Sequence, residues 1–325
     1  VSVFLIRRLL QSIAVVLVMS LIVFVGVNVV GDPVHILISD DMTQAEIERF
    51  VQRLGLDRPV HEQYLHFLSN ALRGDLGNSF VHAEPALKLI LQRMPATLEL
   101  AFAALFISVL FGVPLGVYAG LRPEAPASKV IMAGSILGFS LPTFWVGLMM
   151  IMVFAVILGW LPSTGRGDTL SILGVQLSFL TWDGLRHLAL PAINLALFKM
   201  SLVTRLARAG TREVVLQDYV KFARAKGLTP TRVVLVHVLK NIMIPVVTVL
   251  GLEFGGLIAF SVVTETVFAW PGMGKLLIDS IQNLDRPVVV AYLIITVLMF
   301  VVINLVVDIL YSVLDPRVRL REMRA

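Results

Sequence analysis

The chain contains no cysteine. That absence excludes disulfides, cysteine-ligated zinc, iron–sulfur clusters and thiol nucleophiles, and it leaves the 6 histidines as the nitrogen ligands a metal site would need. Charge is scarce as well: Asp, Glu, Lys and Arg make up 15% of the 325 residues, against about 25% in an ordinary soluble domain. So few charges cannot clothe a single globular core. Hydrophobic residues make up 57% of the chain and the mean hydropathy is +0.87, a composition that belongs in a membrane.

The clearest apolar run is Leu9 to Val30, which carries no charge and as a helix is about 33 Å long, enough to cross a hydrocarbon layer of about 30 Å. Arg7 and Arg8 precede it. It is longer than the roughly 7–15 residue core of a cleaved leader, so the spacing predicts an uncleaved anchor with its N-terminus inside. Further apolar stretches over Thr97–Ala119, Val130–Leu158, Leu188–Ala207, Ile242–Val263 and Val288–Ser312 predict five more spans. Six spans place both termini on one face. Of the 27 basic residues, 17, Lys199 and Arg205 among them, then fall inside and 10 outside, which favours N-in, C-in by the positive-inside rule. The same sidedness accounts for the formal charge of +5. No basic stripe with interleaved aromatics remains to suggest nucleic acid.

The expected organisation is an N-terminal tail and first span over 1–30, an outer segment over 31–95, and a five-span core over 96–325 with an inner loop at 208–241. In the outer segment, Thr43–Leu54 and Pro59–Leu72 are amphipathic. Each is read either as packed on an apolar surface or as a docking face. His61, Glu62 and His66 evoke a metalloprotease helix, but the two histidines are five apart rather than four and do not share its ligating face. Metal is therefore not expected.

The inner loop is richer in local signals. Asp218 is expected to cap a short helix in which Tyr219, Phe222 and Ala223 share a face. Gly227 stands where a helix end favours a left-handed residue, and Thr229-Pro230 reads as a new cap and first turn. Basic loop composition alone explains Lys221, Arg224 and Lys226, but not the glycine and the two caps.

Catalytic signatures are missing. Gly272-Met273-Gly274-Lys275-Leu276 lacks both the first glycine and the Ser or Thr of a phosphate loop. There is no nucleophile elbow. Carboxylates within spans are costly, so Glu99 and Glu253, with Asn194, are candidates for a hydrated translocation path; the alternative is a structural partner on a neighbouring helix. Gly251 with Gly255, and Gly112 and Gly116 around Pro114, read as close helix packing or as hinges. Trp270-Pro271-Gly272, after Glu265, reads as a re-entrant turn at the outer mouth, with interfacial anchoring of Trp270 as the alternative.

The stretch Asp218-Tyr219-Val220-Lys221-Phe222-Ala223-Arg224-Ala225-Lys226-Gly227-Leu228, followed by Asn241 and Pro245-Val246-Val247-Thr248-Val249, resembles the membrane permeases of bacterial ATP-driven importers. Specifically, it resembles the B-type subunit of the dipeptide, oligopeptide and nickel family. Lys221 and Phe222 replace the Glu and first Ala of the family's loop, while Ala223 and Gly227 fit it. The likeness runs on through Arg7-Arg8-Leu9, Gly31-Asp32-Pro33, Leu54-Gly55-Leu56-Asp57, Gly74-Asp75-Leu76-Gly77, Pro95-Ala96-Thr97-Leu98-Glu99-Leu100, the run from Thr264 and Glu265 to Trp270-Pro271-Gly272-Met273-Gly274, and Asn304-Leu305-Val306-Val307-Asp308. Val30 and Glu253 depart from the family's usual Pro and Gln.

The resemblance implies an all-α integral membrane protein of the type I importer permease fold in the bacterial inner membrane, itself non-catalytic and without a bound cofactor or metal. Implied partners are a homologous C-type permease, two cytoplasmic ATPases that hold ATP and Mg, a periplasmic or lipid-anchored binding protein, and membrane lipid. Residues 218–228 would be the coupling helix seated in an ATPase. The implied cargo is a short peptide, with nickel, glutathione or an oligosaccharide-like solute as alternatives. An ion-gradient-driven carrier or a membrane enzyme is disfavoured, because no titratable relay or catalytic pair is present.

Overall fold

Charge-free apolar runs have no water to satisfy their backbone, so they satisfy it internally as helices. The computed structural model describes residues 2–28 and 58–314. The expected helix over Thr43–Leu54, the motifs Gly31-Asp32-Pro33 and Leu54-Gly55-Leu56-Asp57, and the basic tail from Arg317 lie outside the described residues. Helices α1 (Ser2–Asn28), α2 (Val60–Leu72), α3 (Ala86–Leu121), α4 (Pro126–Ser140) and α5 (Thr143–Met150) are followed by a π-helical stretch, Ile151–Ile157, and a small hairpin of β1 (Leu170–Ile172) and β2 (Val175–Leu177). Next come α6 (Trp182–Val214), α7 (Asp218–Ala225), the single turn α8 (Pro230–Arg232) with a π-helical stretch Val233–Val238, then α9 (Leu239–Val267), α10 (Met273–Gln282) and α11 (Arg286–Leu314).

Among the described residues five helices are long and apolar enough to cross a membrane, and a bent pair makes a sixth. That pair corrects the expected third span. Val130–Leu158 is not one helix but α4 and α5, meeting at 107°. The cause is Pro142, which cannot continue the hydrogen-bond ladder and holds Leu141 extended, at ψ 136°. The second span also differs, since α3 begins at Ala86 within the segment assigned to the outer face and carries both Pro95 and Pro114 inside it. Neither proline ends the helix, because intramembrane prolines are tolerated where neighbours satisfy the freed carbonyl.

Contacts divide the chain into two compact units. The first is Val1–Met94 with Leu276–Val302, and the second is Pro95–Lys275 with Ile303–Ala325. In the first, Val23 of α1 packs with Val290 and Ile294 of α11, and Phe67 joins them. Tyr64 and Phe67 place the apolar stripe of α2 against Phe24, with ring centroids 5.4 and 5.7 Å away. The packing reading of Pro59–Leu72 therefore holds, although the helix proper starts at Val60. Asp285, 1% exposed, accepts hydrogen bonds from Ser79 Oγ and from Phe80 N at 3.1 Å, tying the 75–82 loop to the start of α11.

In the second unit α3 and α6 approach along a stripe of small residues. A Cβ at Gly112 would lie 2.9 Å from Val203, at Gly116 2.4 Å from the Thr204 carbonyl and at Gly120 2.6 Å from Thr211. One turn earlier, Ser108 Oγ donates to the Ala196 carbonyl at 3.1 Å. These glycines serve close packing rather than a hinge. Val113, Val117, Val203, Ala207, Ile242, Val246 and Leu250 close the core between α3, α6 and α9, and Gly251 meets Val307 of α11 in the same way.

Candidate functional site

Helix α7 is built by its ends. At its C-terminus Gly227 has φ +79°; its N–H donates to the Arg224 carbonyl at 2.9 Å and that of Leu228 to the Ala223 carbonyl at 3.3 Å. This pair of bonds is a Schellman motif, and a side chain at the left-handed position would strain it. The N-terminus differs from expectation: Gln217 is the cap residue, with no side-chain cap bond, and Asp218 is the first helical residue, bound to Lys221 Nζ at 2.9 Å. Thr229 likewise holds the cap position before Pro230 without a side-chain bond.

The buried face of α7 is Val220 and Ala223, packed with Val233 and Leu228. Tyr219 and Phe222, expected to share a face with Ala223, point outward at 43% and 61% exposure. Lys226 Nζ stands 4.6 Å from the Phe222 ring centroid. A rigid, well-terminated helix thus presents two aromatic rings flanked by Lys221, Arg224 and Lys226.

Two carboxylates organise the opposite ends of α3 and α9. Glu99, 6% exposed, takes Arg166 Nη2 at 2.6 Å and Nε at 3.2 Å on one oxygen. Its other oxygen accepts from Ser178 N at 2.7 Å, Ser178 Oγ at 2.8 Å and Phe179 N at 2.7 Å. Arg166 also donates to the Gln176 carbonyl at 2.6 Å, so the pair pins the β1–β2 hairpin. Of the two readings for Glu99, a translocation path or a structural partner, these bonds support the structural partner: both carboxylate oxygens are committed to the fold.

Glu265, wholly buried, accepts from Thr97 Oγ1 at 2.7 Å, Ser261 Oγ at 3.0 Å, Gly274 N at 2.7 Å and Lys275 N at 3.0 Å. The last two are first-turn N–H groups of α10, which have no partner within their own helix and turn to the carboxylate instead. Trp270 is also wholly buried, and its indole N–H donates to the Ala96 carbonyl at 2.9 Å. That burial rejects interfacial anchoring and favours the tight-turn reading. Pro271 and Gly272 complete the turn, and a Cβ at Gly272 would fall 2.4 Å from the Glu265 carboxylate.

The third carboxylate is different. Glu253 pairs with Lys199 Nζ; the lysine side chain is 4% exposed and the glutamate side chain 40%. Lys199, counted with the inner-side charges although the expected span Leu188–Ala207 contains it, lies in the middle of α6. The signal was present in the sequence, since apolar residues continue for more than a turn on both sides. Asn194, 1% exposed, donates to Thr264 Oγ1 at 3.3 Å, and its Oδ1 has no partner. It lies deep in the packing of α6 against α9, apart from the half-open Glu253. The roles of Arg166, Thr97 and Ser261 had no local sequence signal, because each is defined by a distant carboxylate. Among the described residues no cluster of three His, Asp or Glu converges, and His66 Nδ1 instead meets Asn70 Nδ2 at 3.2 Å.

Residues 112–320 match the family described as "Binding-protein-dependent transport system inner membrane component", and residues 1–101 match "Binding-prot-dependent transport system membrane comp, N-term". The chain is 40% identical to the di/tripeptide transport system permease protein of Pseudomonas aeruginosa (strain UCBPP-PA14), over 97% of this chain and 98% of that one. It is 39% identical to the oligopeptide transport system permease protein of Bacillus subtilis (strain 168) and 38% identical to the glutathione transport system permease protein of Escherichia coli (strain K12), each again over 97% and 98%. Among solved structures, an inward-facing methionine ABC transporter is similar in fold, with a TM-score of 0.56 and 18% identity over 70% of this chain and 96% of that chain. With both family regions matched and relatives aligned end to end, the chain belongs to the inner-membrane components of binding-protein-dependent transport systems, as a multi-pass B-type permease of the peptide ABC importer family.

Proposed function

We propose that this permease carries short peptides from the periplasm to the cytoplasm by alternating access, driven by ATP that partner subunits hydrolyse. The cargo reading is supported by relatives named for di- and tripeptides, oligopeptides and glutathione, which share amide links and charged ends. Both termini are cytoplasmic in this reading, and the chain pairs with a homologous C-type permease. A periplasmic or lipid-anchored binding protein delivers the cargo, and two ATPases, with their ATP and Mg, dock from the cytoplasm.

The observation that carries the coupling is α7. Tyr219 and Phe222 enter a groove of an ATPase as apolar anchors, with Lys221, Arg224 and Lys226 at the rim. A short helix terminated by its Schellman motif and packed through Val220 and Ala223 passes a rigid-body displacement into α6 and α9, where a loose basic loop would absorb it.

The test replaces Gly227, beside which a Cβ would meet nothing within 4 Å, so that only the backbone angle is challenged. Gly227→Val should leave the permeases and ATPases co-purifying while tripeptide uptake into membrane vesicles falls about tenfold or more, and Gly227→Asn, which tolerates the left-handed angle, should restore most of it. Normal uptake by the valine variant would remove α7 from coupling. Competition by nickel or an oligosaccharide, but not by peptides, would replace the cargo.

A further inference from the structure

Lys199 and Glu253 sit at the midpoints of the helices that carry them: Lys199 is one residue past the centre of Trp182–Val214, and Glu253 is at the centre of Leu239–Val267. The candidate spans are Trp182–Val214 and Pro230–Val267, so both charges lie within about five residues of a span's centre, well inside the apolar layer, where an ionised group is costly. Lys199 is enclosed, yet 40% of the glutamate side chain is open. Its carboxylate has Lys199 as its one hydrogen-bond partner among the described residues. Gly256 flanks both charges, since a Cβ there would be in ordinary contact range, 3.8 Å from Glu253 Oε2 and 3.8 Å from Lys199 Nζ. Exposure of such a pair to lipid is unfavourable, so the open side borders a path that admits water.

A group that separates two paired charges in a low-dielectric site must supply a counter-charge to each, or leave both unpaired at high cost. A neutral solute supplies neither, whereas a peptide with free ends supplies both. We propose that Lys199 and Glu253 form the charge-recognition site for cargo inside the apolar layer. Glu253 takes the cargo's ammonium and Lys199 its carboxylate, and the two close on each other again when the cargo leaves. This assignment rests on the peptide reading above.

The absence of cysteine makes a direct test available. In inside-out vesicles containing the complete transporter, cargo reaches the path from the cytoplasmic face without the binding protein. Gly256→Cys serves as the reporter, and modification of this chain by a small charged methanethiosulfonate is read by mass. Modification is expected, while Val18→Cys in the charge-free part of α1 that follows Arg8 stays unmodified. A saturating tripeptide with free ends should slow the reaction about tenfold. The same peptide acetylated and amidated should slow it less than about twofold, and adding Glu253→Gln should reduce the free peptide's protection to that level.

An unmodified Gly256→Cys alongside a modified Glu124→Cys, at an exposed position between α3 and α4, would show the pair packed against protein and overturn the assignment. So would equal protection by free and blocked peptides, or protection that survives Glu253→Gln. If Gly256→Cys does not assemble, Val249→Cys, one turn before Glu253, is read by the same criteria. Failure of the unmutated transporter to take up the free tripeptide would overturn the cargo reading itself. Uptake with an indifferent reporter would overturn only the role of the pair.

Discussion

Glu99 and Glu253 both stand in long apolar helices, and both answer a cation. Glu99 accepts five hydrogen bonds, two of them from Arg166, and is almost sealed. Glu253 accepts one, from a lysine on the adjacent helix, and is partly open. A carboxylate satisfied by a planar guanidinium and fixed backbone N–H groups cannot give up its partners without undoing the fold around it. One satisfied by a flexible ammonium can exchange it. Intramembrane charge thus marks two kinds of position, and the number and rigidity of the donors separates them.

The largest effect should come from Arg166→Met. It leaves the Glu99 carboxylate buried without its counter-charge and should cost about 3–5 kcal/mol, seen as an earlier thermal denaturation midpoint of the purified complex. Adding Glu99→Gln should recover part of the loss. An unchanged midpoint would put Glu99 back among the adaptable carboxylates.

Next in size is Gly272→Ala, whose new methyl would lie 2.4 Å from the Glu265 carboxylate and should destabilise by about 1–3 kcal/mol. Gly256→Ala, beside the Glu253 pair, meets nothing closer than 3.8 Å and should stay within about 0.5 kcal/mol. Similar midpoints for these two alanine variants would erase the contrast between a packed and an open site.

A loss well below that of Arg166→Met should follow Glu253→Gln, about 1 kcal/mol, because the amide oxygen still accepts from Lys199 and the site is open on one side. A loss as large as that of Arg166→Met would make Glu253 a structural residue of the same kind as Glu99.

Signals carried by neighbours in sequence were legible. The spans over Leu9–Val30 and Val288–Ser312, the amphipathic α2 and the end of α7 at Gly227 depend on apolar run length, helical period and a local backbone angle. What failed involved partners far along the chain or a helix rule that the membrane relaxes. Pro142 breaks the third span, whereas Pro95 and Pro114 leave α3 continuous, and nothing in the residues around them distinguishes these outcomes. Lys199 was counted among the inner-side charges, although it falls within the expected span Leu188–Ala207 and the apolar residues around it put it inside the membrane.

By itself the sequence determined that this protein crosses a membrane several times and carries a short helix ended by Gly227 between its fourth and fifth spans, because each of these follows from composition or from residues within a few turns. Only the tertiary structure decided which carboxylate is locked and which is open. That outcome depends on Arg166 and Ser178 reaching Glu99 from 67 and 79 residues away, and on Lys199 meeting Glu253 across 54. The free energy of a buried charge is set by the donors that surround it in space.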